Sequence, residues 1–197
     1  MAEYPDMKAR RLFAGVAVAA TEDLRRAWTD LRRELQSERI RWTRPENLHL
    51  TVEFFGATAE ETIPTLANAL AAAAGASPAF ALRLAGLGTF GGARHPRVLW
   101  IGVDSPGLAA LHARAADALR AAGRSPEARA FAPHLTLGRI DRLNDPAAFA
   151  AALETQRGRF AEEQAVRELI LYESASGRYV PIGAWPLQVV SNSDPAT

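Results

Sequence analysis

The chain of 197 residues contains no cysteine, which excludes disulfides, thiolate metal sites and a cysteine nucleophile. Lys8 is its only lysine, and every other basic residue is arginine. Together with the abundant alanine, that bias fits a GC-rich coding sequence and is no phosphate-binding adaptation in itself. A charge excess is also missing: 23 basic residues face 22 acidic ones, for a net charge of +1. Proteins that coat long nucleic acids carry a strong basic excess, so any nucleic-acid contact here is local. No apolar run approaches the roughly 20 residues of a membrane span. The GxSxG elbow of serine hydrolases and the HExxH motif of zinc proteases are absent. So are Walker-type and dinucleotide glycine loops, and no bound cofactor is expected.

What is present reads as one domain over residues 1–190, with a polar tail at 191–197. Lys8, Arg10 and Arg11 followed by apolar Leu12–Ala20 resemble a short signal peptide. A buried strand explains the segment better, because the same pattern recurs in mid-chain, and a cytoplasmic location is expected.

That recurrence is an internal repeat offset by about 86 residues. RLFAGVAV (Arg11–Val18) matches RVLWIGVD (Arg97–Asp104), HLTV (His49–Val52) matches HLTL (His134–Leu137), and Phe80–Gly88 loosely matches Val166–Ser174. Between them lie helical patterns: Glu22–Glu38 answers Gly107–Ala121, and Thr58–Ala74 answers Pro146–Gln156. Each half therefore reads strand, helix, strand, helix, strand. The expectation is an α+β, bilobal duplication with lobes at roughly 11–90 and 97–190. Two mainly antiparallel sheets with outer helices would flank a central cleft. Extra strands are expected at Ile40–Trp42, Gly86–Gly92 and Tyr179–Val189, and the glycine-rich stretch Gly86–Pro96 joins the halves as a loop.

Alternate side chains of a strand point to opposite faces. His49 and Thr51 therefore share a face opposite Leu48, Leu50 and Val52, and His134 and Thr136 share one opposite Leu135 and Leu137. A pseudo-twofold would gather two imidazoles and two hydroxyls at one spot. One imidazole can accept a proton while the other donates one. The hydroxyls can bond phosphate oxygens, and Arg139, three positions beyond Thr136, can add a charge-assisted contact. A single His-Leu-Thr string is weak evidence, since most such histidines are surface or structural; two at equivalent repeat positions are much stronger. The competing reading is a metal site with Glu53, on the same strand face as His49 and Thr51, as third ligand, but Gly138 occupies the matching place in the second copy. No metal is expected. His95 and His112 have no repeat support and are read as surface residues.

At these residues the chain resembles the two-histidine phosphoesterase superfamily, and within it the bacterial RNA 2′,3′-cyclic phosphodiesterases often labelled 2′-5′ RNA ligases. Trp42 with Pro45–Glu46–Asn47–Leu48–His49–Leu50–Thr51 resembles the first signature, and Phe131, Pro133 and His134–Leu135–Thr136–Leu137–Gly138–Arg139 the second. Leu171–Tyr172–Glu173–Ser174 resembles the closing strand. The resemblance implies metal-independent hydrolysis of RNA 2′,3′-cyclic phosphate ends, with His49 as proton donor and His134 as proton acceptor. It also implies phosphate contacts from Thr51, Thr136 and Arg139, and candidate base contacts from Phe13 and Tyr179. A monomer without membrane partners is expected. The alternatives are a phosphodiesterase for other small cyclic or 2′-5′-linked nucleotides and a non-catalytic RNA- or nucleotide-binding module.

Overall fold

A computed structural model describes residues 9–92 and 95–189, so the tail expected at 191–197 lies outside the described residues. Among the described residues nine strands and four α-helices follow one another as β1 (Ala9–Ala17), α1 (Glu22–Glu34), β2 (Arg39–Trp42), β3 (His49–Ala59), α2 (Ile63–Gly75), β4 (Phe80–Gly92), β5 (His95–Asp104), α3 (Pro106–Ala121), β6 (His134–Arg142), α4 (Pro146–Gln156), β7 (Ala161–Val166), β8 (Glu168–Ala175) and β9 (Arg178–Pro186). Helix starts are written in the sequence. Thr21, Ser105 and Asp145 accept hydrogen bonds from the first-turn amides of α1, α3 and α4. No described helix is long and apolar enough to cross a membrane.

The strands form two antiparallel sheets, ordered β3-β1-β8-β9 and β2-β6-β5-β4-β7. The three-strand units β3-β1-β8 and β6-β5-β4 correspond, as the repeat implies. The sheets are nevertheless not the two halves of the sequence. The last repeat strand of each half, β4 or β8, pairs with the first strand of the other half. The break expected between residues 90 and 97 thus falls in the β4–β5 hairpin, within one sheet. The described part of Gly86–Pro96 is accordingly strand, not loop: β4 runs to Gly92 and β5 starts at His95.

One core cluster unites both sheets with the helices; Leu12, Leu24, Leu50, Leu66, Leu84, Leu108 and Leu135 are all 0% exposed. Burying each such side chain contributes roughly 1.5–3 kcal/mol. A second, smaller cluster of Phe13, Ile170 and Tyr172 is separate from the core. β3 runs on to Ala59, with Thr58 buried, so α2 begins at Ile63 rather than at Thr58. β7 (AEEQAV) was not expected: its acidic, mostly exposed pattern suits the sheet edge it occupies but carries no apolar run.

Candidate active site

β3 and β6 begin at the two histidines. Leu48, Leu50 and Val52, with 4%, 0% and 2% exposure, fix the inward face of β3. Leu135 and Leu137, at 0% and 1%, do the same for β6. The opposite faces of the two strands open on a single cleft of about 530 Å³, lined by both histidines, Thr51, Thr136 and Arg139, with Phe13 and Tyr179 beside them. All the site residues named from the sequence are thus brought together. The volume lies within the roughly 300–1,000 Å³ usual for small-ligand sites.

A β-bulge sits at the same place in both copies. On β3, Thr51 opposes Gly15 and Glu53 opposes Ala14, leaving Val52 unmatched. On β6, Thr136 opposes Trp100 and Gly138 opposes Leu99, leaving Leu137 unmatched. An extra residue reverses the alternation beyond it. Arg139, an odd number of residues from Thr136, would face the core of a regular strand; the bulge turns it into the cleft. Phe54 enters from β3 for the same reason. At Gly138 a Cβ would lie 2.7 Å from the Ile40 side chain and 3.2 Å from the Arg41 carbonyl, so the close approach of β2 leaves no room for a side chain.

The bulge also overturns the expectation for Glu53. It does not share a face with His49 and Thr51; it is 2% exposed and lies outside the cleft lining. Glu53 Oε1 accepts a hydrogen bond from the Glu127 amide at 2.5 Å. Burial pushes the Glu53 carboxyl above its usual value, partly offset by that amide and by His112. Among the described residues no group of three or more His, Cys, Asp or Glu is arranged to hold a metal ion.

His112 departs from expectation as well. It is half-buried, donates from Nδ1 to the carbonyl of Val52 at 2.8 Å, and stacks on Phe131 with centroids 4.1 Å apart. His112 and Glu53 therefore hold the stretch between α3 and β6 that delivers His134. His95 is exposed at the first residue of β5.

Each catalytic candidate is oriented in the same way. His49 Nδ1 lies 2.7 Å from the Asn47 carbonyl, and His134 Nδ1 lies 2.7 Å from the Ala132 carbonyl. A carbonyl only accepts, so Nδ1 carries hydrogen in both rings and Nε2 is left to exchange protons. Their surroundings differ. Phe13 and Tyr179 pack 4.7 and 4.8 Å from His49, while Phe90 meets His134 edge-on at 4.6 Å. Burial lowers the proton affinity of His49; the Asn47 carbonyl counters this, and the charge of His134 adds to it. Phe13 itself is only 3% exposed and stacks on Tyr172, whose phenol burial raises to about 12.

Asn47 has a role that spacing alone does not reveal. It is nearly buried; its Nδ2 donates to the Gly177 carbonyl at 3.0 Å, and its Oδ1 accepts from the Tyr179 amide at 3.2 Å. It ties the β8–β9 turn, and with it Tyr179, to the carbonyl that orients His49. The run Pro45–Glu46–Asn47 just before His49 was the available signal.

The family model described as the 2′-5′ RNA ligase superfamily matches residues 20–178. The RNA 2′,3′-cyclic phosphodiesterase of Geobacillus stearothermophilus is 33% identical over 150 residues, which is 74% of this chain but only 47% of that protein, about half its length. A protein of the same name from Methanothermobacter thermautotrophicus is 33% identical over 130 residues, 64% of this chain and 70% of that one. The structure of E. coli LigT complexed with 3′-AMP superposes with a TM-score of 0.65 at 26% identity, covering 91% of this chain and 99% of that one. The chain belongs to the 2′-5′ RNA ligase superfamily.

Proposed function

We propose that this protein hydrolyses 2′,3′-cyclic phosphate ends of RNA to 2′-phosphates by metal-independent acid–base catalysis, working as a monomer in the cytoplasm. The observation that carries the reading is the pair of carbonyl-oriented imidazoles at equivalent strand positions, each with a threonine two residues on, around one cleft. The names of its relatives supply the substrate class.

In this scheme Nε2 of His134 takes a proton from water as the water oxygen attacks phosphorus. The bond from phosphorus to the ribose 3′-oxygen breaks, and His49 protonates that oxygen from Nε2. A 2′-phosphomonoester remains. Thr51, Thr136 and Arg139 stabilise the charge that grows on the non-bridging oxygens. Tyr179 offers apolar contact to the base, with buried Phe13 packed behind it. A 5′-hydroxyl in place of water yields a 2′-5′ linkage with the same groups. A single chain carries both histidines, so one copy suffices.

The test is turnover of a short RNA ending in a cyclic phosphate, with EDTA present. Undiminished hydrolysis is expected. Loss of activity on chelation, or full activity in His49→Ala or His134→Ala, would overturn the scheme.

A further inference from the structure

The chain as a whole is nearly neutral, but its cleft is not. Among the described residues four arginines line it, Arg11, Arg41, Arg44 and Arg139, and no carboxylate does. A cyclic phosphate carries one negative charge, which Arg139 can match with the two threonines. Arg41 stands directly opposite Arg139 across the β2–β6 pair, a like-charge arrangement that costs stability. Asp141 neutralises Arg41 with bonds of 3.0 and 2.8 Å to Nε.

Arg11 is different. Its neighbour Arg10 pairs with Glu173, whereas Arg11 is exposed and, among the described residues, forms no ion pair. Its guanidinium lies over the Phe54 ring, 4.9 Å from the centroid. On β1 it shares the cleft face with Phe13 and Gly15, because β1 carries no extra residue there. Along the β3–β1 wall of the cleft the order follows from register: His49, then Thr51, then Phe54 opposite Phe13, then Arg11 opposite Ala57. Arg11 therefore sits one strand repeat, roughly 7 Å, beyond Phe13 and away from the histidines.

We propose that Arg11, braced on Phe54, binds the internucleotide phosphate next to the terminal nucleotide, making the cleft selective for strand ends over free cyclic mononucleotides. This rests on the cyclic-phosphate reading above. A strand ending in a cyclic phosphate has neighbouring phosphates only on its 5′ side, so this site takes the phosphate joining the last two nucleotides.

The experiment compares kcat/KM for adenosine 2′,3′-cyclic phosphate, for the diadenosine ribonucleotide ending in a 2′,3′-cyclic phosphate, and for that dinucleotide with a neutral methylphosphonate linkage. The charged dinucleotide should exceed the mononucleotide by about tenfold, as suits one charge-assisted hydrogen bond. The neutral linkage should erase the preference. Arg11→Gln should bring the dinucleotide-to-mononucleotide ratio towards one, and Arg11→Lys should restore part of it. On log–log axes the salt slope should be steeper for the dinucleotide by about 0.7 in the unaltered protein and not in Arg11→Gln. Equal efficiency on all three substrates, or an unchanged ratio in Arg11→Gln, would overturn the subsite while leaving the cyclic-phosphate reading intact. Failure to turn over any of them would defeat that reading and the subsite with it.

Discussion

His49 and His134 begin equivalent strands, donate from the same ring nitrogen to a carbonyl two residues earlier, and precede a threonine and then a bulge. Their support is nevertheless unlike. The carbonyl behind His49 belongs to Asn47, whose side chain is bonded to the β8–β9 turn of the same sheet. The carbonyl behind His134 belongs to exposed Ala132, in a stretch that is held by Glu53 and His112 from outside its own strand. Aromatic packing desolvates His49 and weakens its hold on a proton. A duplicated motif thus gives two similar groups, and the non-duplicated surroundings make them chemically unequal.

The most drastic way to break the comparison is to remove either ring. His49→Ala and His134→Ala should each lower the single-turnover rate by about 10²- to 10⁴-fold, and the double variant by far less than the product of the two. Next comes the support of His134. Glu53→Ala orphans the Glu127 amide and should cost about 1–3 kcal/mol in denaturant unfolding, with a fall in kcat. Glu53→Gln keeps an acceptor there and should retain most activity. It should also remove a pH dependence. Because the folded protein raises the Glu53 value, its contribution to stability is full below the usual carboxylate range and is lost as pH rises through the raised value. Unfolding curves for Glu53→Gln should lack that decline.

The support of His49 should respond more weakly. Asn47→Ala removes two side-chain hydrogen bonds and should cost about 1–2 kcal/mol in thermal or denaturant unfolding. The smallest effect is the sharpest in kind. Tyr179→Ala hydrates His49, so its NMR titration should move up towards the ordinary imidazole value of about 6.5.

Much of this site is legible in the sequence. The alternation in Leu48–Val52 and Leu135–Leu137 was enough to put His49 with Thr51 and His134 with Thr136, because a buried leucine face leaves a strand no choice of register. The bulges were not legible. An extra residue on one strand is defined by its pairing partner, and nothing in Thr-Val-Glu-Phe or Thr-Leu-Gly-Arg marks it locally. Arg139 could therefore be named for its chemistry but not oriented, and Glu53 was assigned to the wrong face. The exchange of β4 and β8 between the sheets escaped for a similar reason: the repeat specifies each unit but not which first strand its last strand joins. The role of His112 is not legible in the sequence because its partners, Val52 and Phe131, are distant along the chain.

The most direct test of the two-histidine scheme is the position of the phosphate in the product. An RNA ending in a 2′,3′-cyclic phosphate, hydrolysed to completion with EDTA present and analysed by phosphorus NMR, should give the 2′-phosphate, as departure of the 3′-oxygen with a proton from His49 requires. A 3′-phosphate would contradict the roles assigned to His49 and His134.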